Sequence, residues 1–225
     1  MNDDLAYLPI LRRVGLALIV VGVVDVCVMI YCIVHRVGYA SSFNIFAIIA
    51  GIFLMRGNLR AAALITRIAA FMLTGFLGMF FVWPVFLPPS LALTQLRIYP
   101  LGFLAFLGVF AAMLAWLFWI VRQLRDEAVL NAIVRSTGKR PSLRGPVLTG
   151  AAIVIIVLTL SGFSHKSEST RSAEQIASSQ VGEGYSLKVT EIRTVWTANG
   201  KTIYATVTAW NDHEIRKIPV SWDER

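Results

Sequence analysis

Long apolar runs constrain this chain more than any other feature. Between residues 14 and 34 the only charged side chain is Asp25. About 20 such residues cross a hydrocarbon core about 30 Å thick. Four further segments meet or approach that standard, at 37–55, 62–86, 99–121 and 146–163. The segment 37–55 is polar in its first half, at Ser41, Ser42 and Asn44, which leaves a full crossing and a re-entrant hairpin both open. Only 15% of residues are charged against 56% hydrophobic, well below the charge of a soluble domain. The expected class is a membrane all-α helical bundle of five transmembrane helices, followed by a small C-terminal extracytoplasmic α+β domain.

Lys and Arg give the orientation, because basic loops are retained in the cytoplasm. With the N-terminus inside, eleven basic residues fall on inner segments and two, Arg36 and Arg97, on outer loops. Arg122, Arg125, Arg135, Lys139, Arg140 and Arg144 make the loop 122–145 the densest of these, and suit it to anionic lipid headgroups. Apolar residues at helical spacing (Leu124, Val129, Leu130, Ile133, Val134) predict an amphipathic helix over 122–135 at the inner interface. The start, MNDD, is acidic and no A-x-A-like site follows, so the first segment reads as a retained anchor.

The net charge of +8 resides entirely in residues 1–163, since 164–225 holds eight basic and eight acidic residues. Lipids explain it without nucleic acid. Cys27 and Cys32 lie five positions apart and point to different sides of a helix, and no zinc spacing exists. No nucleophile elbow, HExxH or paired carboxylates occur, so neither an enzyme nor a cofactor is expected.

Asp25 falls at bilayer depth, where an ionisable group suggests function by default. A pair with Arg67 of the third segment is the structural reading, as is a protonated Asp bonded to a neighbouring helix. A proton or ion pathway at Asp25, with Tyr31 and His35, is the alternative, and would make the protein a small transporter or channel. Ala47 and Gly51, Gly108 and Ala112, and Ala111 and Ala115 have spacing that lets helices approach closely.

The domain boundaries expected are 1–163 for the transmembrane part, 164–172 for a linker and 173–225 for the outer domain. Ser172 and Gln175 suggest a capping box for a helix over 173–181. Asn199-Gly200 is a hairpin signal that would pair Ala198 with Lys201, and hence Trp196 with Ile203. Tyr185, Leu187 and Val189 then face away from Ile192 unless a bulge intervenes near Thr190. A turn at 211–213 leads to a third strand, whose Pro219 marks an edge. Trp196, Tyr204, Trp210 and Trp222 form the expected interaction surface, covering one sheet face or docking on a partner, a second copy or the spans. An exposed edge would also accept a peptide by strand addition.

The segments YLPILRR and SSFNIFAIIAGIFLMRGNLRAA resemble a family of uncharacterised bacterial multi-pass inner-membrane proteins over residues 7–130. The resemblance implies a bacterial inner membrane and no activity. The expected function is thus a non-enzymatic accessory, assembly or sensory subunit acting through its periplasmic domain, with lipids and a protein partner or a second copy as its contacts.

Overall fold

A computed structural model describes residues 6–36, 38, 44–164, 168–182, 184–197 and 200–224. Eight helices precede three strands among them: α1 (Tyr7–Val34), α2 (Asn44–Met55), α3 (Leu59–Phe86), α4 (Pro89–Ile98), α5 (Pro100–Leu124), α6 (Glu127–Thr137), α7 (Arg144–Ser164), α8 (Glu168–Val181), β1 (Ser186–Thr197), β2 (Gly200–Trp210) and β3 (Ile215–Glu224). Three helices, α1, α3 and α5, are long and apolar enough to cross a membrane. Their outward side chains include Val34, 70% exposed, and Leu101, 84% exposed. Bare apolar surface of this extent suits lipid rather than water.

Of the five expected spans, α1, α3 and α5 are the ones that reach membrane length as described helices. The second segment begins its described helix only at Asn44 and is 12 residues long. Val37, Ser41 and Ser42 lie outside the described residues. The apolar part of α7, Arg144–Leu160, also falls below the length of the other three.

The chain divides into two compact units, Met1–Leu77 with Ala112–Ala151, and Gly78–Ala111 with Ala152–Arg225. In the first, Gly15 of α1 meets Gly51 of α2. A methyl on Gly15 would sit 2.7 Å from the Gly51 carbonyl oxygen, and one on Gly51 would sit 2.6 Å from that of Gly15. Ala47 is buried one turn away, so small residues let the two backbones touch. Gly57, at φ +74°, turns the chain against Leu8 after α2. A Cβ on Gly150 of α7 would likewise lie 2.9 Å from the Phe71 carbonyl of α3.

The amphipathic helix of the basic loop differs from expectation in bounds and in partner. Residues 122–124 continue α5, and Asp126 caps α6 by accepting from the Ala128 N–H at 3.0 Å. Gly138, in the left-handed region, ends it. Val129, Leu130 and Ile133 are buried, and Val129 and Ile133 pack into one core with Leu11, Val14, Leu117 and Ile120. The apolar face is therefore occupied by protein and is not available for insertion among lipid tails.

In the second unit, the outer part of α3 packs on α5 through rings, with Phe80 to Phe110 at 5.8 Å and Trp83 to Phe106 at 5.1 Å. Gly78 of α3 admits Val154 of α7, whose Cγ2 would lie 2.6 Å from an added Cβ. Helix α8 starts at Glu168, four residues before the expected cap, and places Ser172 in its interior. Burial explains the extension, because Thr170, Ala173 and Ala177 form one buried stripe. Residues 165–167 of the expected linker lie outside the described residues.

The sheet is an antiparallel meander in the order β1-β2-β3. A bulge at Thr190 separates Val189, opposite Val207, from Glu191, opposite Thr206. The extra residue returns Leu187, Val189 and Ile192 to one face. Ala205, Val207, Ala209, Ile218 and Val220 share that face and pack under Ala173 and Ala177 of α8.

The hairpin register differs from the expected one by two positions, with Trp196 opposite Lys201 instead of Ile203 and Thr197 opposite Gly200. Ala198 and Asn199 lie outside the described residues. Side chains alternate with a period of two, so an even shift preserves both faces and costs no burial.

Candidate interaction site

Helix α4 joins α3 to α5 and positions the sheet of the second unit. Pro89 at its first position removes an N–H that would have no partner there. Ser90, Thr94 and Arg97 then fall along one stripe at helical spacing. Three consecutive residues, from the end of β2 onward, meet that stripe in order. The Trp210 Nε1–H donates to Ser90 Oγ at 3.3 Å. The Thr94 hydroxyl donates to the Asn211 carbonyl at 3.1 Å. Arg97 and Asp212 approach to 3.4 Å, both well exposed.

Lys188 makes the second connection. Its Nζ donates to the carbonyl oxygens of Val85 at 2.8 Å and Phe86 at 2.9 Å. These are carbonyls of the last turn of α3, which have no partner within the helix. Partial burial pushes the Lys188 pKa below the ordinary lysine value. Lys188 and Trp210 lie on the face opposite α8, since Lys188 pairs with Thr208 and the bulge aligns the two halves. One end of that face is therefore anchored. Its other end opens into a groove of about 700 Å³ lined by Glu191, Arg193, Tyr204, Thr206, Pro219 and Ser221 among others.

Beyond β2 the chain turns on Asn211, whose Oδ1 accepts from the N–H groups of His213 and Glu214, each at 2.9 Å. Glu214 accepts from the Tyr185 hydroxyl and from Arg216 Nε at 3.0 Å. The Tyr185 bond, followed by Arg216, lowers the Glu214 pKa. The same bond to Glu214 raises the Tyr185 pKa.

The four aromatic residues expected to form one surface occupy two faces. Trp210 is 5% exposed against α4, and Tyr204, 49% exposed, lines the groove on the same face. Trp222 is half-buried with the α8 core, and Trp196 on that face is 77% exposed with the Lys201 Nζ 5.6 Å over its ring. Arg122, Arg125, Arg135, Lys139, Arg140 and Arg144 are all exposed around α6. Asp25 is half-buried on α1 and is not without a partner, while Arg67 is exposed on α3. No ion pair between those two is among those the structure describes. His35 caps α1, stacking on Tyr31 at 4.1 Å and donating from Nδ1 to its carbonyl at 2.9 Å.

An apolar crevice of about 80 Å³ lies among Leu18, Ala47, Ala69, Met72, Trp116 and Leu117 of the first unit, and Asp25 does not line it. Among the described residues no three His, Cys, Asp or Glu converge as a metal site.

Ser90, Thr94, Arg97 and Lys188 are not among the residues that the sequence marks for interaction. The Pro88-Pro89-Ser90 start and the spacing of Ser90, Thr94 and Arg97 carry the signal for α4. Nothing local marks Lys188. No protein-family model, no curated protein and no solved structure matches the chain.

Proposed function

We propose that this chain is a non-enzymatic integral protein of the bacterial inner membrane, and that it holds its C-terminal α+β domain in the periplasm as an accessory, assembly or sensory subunit. The observation that carries the reading is the seating of the sheet on one end of a membrane-length helix, through Lys188 and the α3 carbonyls. A domain fixed in this way presents the rest of its surface in a constant orientation. The open groove and the edges of the sheet are then the surfaces that meet a protein partner.

Chain direction supports an odd number of crossings. Gly15 against Gly51, and Leu8 against Gly57, bring the chain back to the start of α1 before α3 begins. Helix α5 then runs away from the end of α3 that Lys188 caps. Helix α7, 21 residues and about 31 Å at 1.5 Å per residue, is what returns the chain to that end. With the basic loops inside, this reading has five crossings, a cytoplasmic N-terminus and a periplasmic C-terminus. A reporter active only in the cytoplasm, fused after Arg225, is expected to be silent, and the same reporter fused at Lys139 active. A reporter active at Arg225 overturns the orientation.

A further inference from the structure

The sheet has two edges, and they are not equivalent. Edge strand β3 carries Pro219, which has no N–H to offer a further strand. Edge strand β1 has no proline and is exposed from Glu191 through Thr194 and again at Trp196. Unpaired edges of this kind are templates for another strand. The question is which strand this edge fits.

The residues of β1 answer it. When β1 pairs antiparallel with itself about Ile192, Glu191 stands opposite Arg193, Ile192 opposite Ile192, and Arg193 opposite Glu191. Thr194, Val195 and Trp196 continue the regular strand on one side of this triplet, and the bulge at Thr190 bounds it on the other. Opposite charges directly across an antiparallel pair are favourable, and like charges there are not. Centring the dyad one residue further on, at Arg193, would place two arginines face to face. Neither Glu191 nor Arg193 takes part in an ion pair that the structure describes. Ile192, 37% exposed, would be covered by its own copy.

The symmetry is also compatible with a membrane. The two-fold axis of an antiparallel strand pair stands perpendicular to the sheet, so both copies keep the same face on the same side. That face carries Lys188 and Trp210, which meet the end of α3 and α4. Both copies therefore present the end of α3 and α4 on one side of the joined sheet, as two proteins in one bilayer must. The bulge at Thr190 ends the regular stretch and keeps the pairing short.

We propose that the β1 edge is a self-association surface, and that two copies of this chain join through β1 about a dyad at Ile192 into one six-stranded sheet. The proposal deepens the reading of this domain as an interaction module by naming its partner.

The test uses the full chain in native membranes, with Cys27→Ser and Cys32→Ser as background. Ile192→Cys places two thiols opposite each other across the dyad and is expected to give a disulfide dimer on mild oxidation. Lys217→Cys, on the β3 edge, is expected to give none. Adding Glu191→Arg to Ile192→Cys removes both cross-strand attractions and should lower the dimer fraction about five- to thirtyfold. Adding Arg193→Glu as well exchanges the charges and should restore it, which a folding defect would not do. Absence of a disulfide dimer from Ile192→Cys, or charge variants that leave the dimer fraction unchanged, overturns the proposal. With a bis-maleimide, a product of another mass from the Ile192→Cys chain overturns self-pairing but leaves the interaction module standing. No product of any kind overturns both.

Discussion

The ammonium of Lys188 lies 2.9 Å from the carbonyl oxygen of Phe86, so a strand residue completes the last turn of a helix 102 positions earlier. Helix C-termini carry partial negative charge and carbonyls with no partner, and a cation there is stabilising. Loss of the ammonium leaves those carbonyls to water. Lys188→Met is therefore expected to cost about 1–2 kcal/mol, and Lys188→Arg, which keeps the charge, less. Thermal unfolding of the detergent-solubilised chain measures this. Faster proteolytic release of the C-terminal domain from the Met variant is the accompanying sign.

Helix α1 tolerates nothing larger than glycine at residue 15, and α2 nothing larger at 51. Gly51→Ala puts a methyl 2.6 Å from the Gly15 carbonyl oxygen and from Ile19 Cγ1. Separation of the helices should cost about 1–3 kcal/mol, in the range of overpacked cores. Gly102→Ala and Gly108→Ala on α5 meet nothing within 4 Å and should be near neutral. Unfolding in mixed detergent compares the three variants directly, and equal stabilities would refute the close crossing.

The basic loop separates burial from charge. Ile133 of α6 is 1% exposed, and Ile133→Ala should cost about 2–4 kcal/mol. Reversal of Lys139 and Arg140, both exposed, should leave unfolding unchanged and weaken association with anionic vesicles. A large stability loss from the charge reversals would show that these residues hold the fold and not the lipid.

The Tyr185, Glu214 and Arg216 group sets a pH dependence of known sign. The folded Glu214 pKa is depressed, first by the Tyr185 hydroxyl and then by Arg216. The unfolded chain thus binds that proton more tightly as pH falls. Stability from this group is complete above the ordinary glutamate value, about 4.3, and is lost as pH falls through the lower folded value. Glu214→Gln should flatten that part of an acid titration followed by Trp210 fluorescence. Tyr185→Phe should move the Glu214 midpoint back toward the ordinary value. Unchanged curves in both variants would separate the turn from any acid response.

Sequence alone carries the features that repeat along the chain. Apolar runs give α1, α3 and α5, and alternation over residues 185–222 gives three strands with a proline at one edge. The requirement that Val189 and Ile192 share a face marks the bulge near Thr190. The hairpin register is not decidable on the same grounds, because registers two apart bury the same side chains. The seat of the domain is illegible for a different reason. Lys188 meets Phe86, and Trp210 meets Ser90, across about a hundred residues or more, and no local pattern encodes such a meeting. The apolar stripe of α6 is legible, but whether lipid or protein covers it is not, since both satisfy the same periodicity.

Thr190 is the one residue of β1 that has no opposite number on β2, and this sets the length changes that the strand can absorb. Deletion of Thr190 brings Val189 and Glu191 into adjacent places against Val207 and Thr206, which are already adjacent, and every other side chain keeps its face. Deletion of a single residue from 192 to 195 instead slides part of the strand by one and turns side chains there to the wrong face. The gene can therefore lose one codon at the bulge and still encode the same sheet, while the loss of a codon from 192 to 195 would not leave it intact.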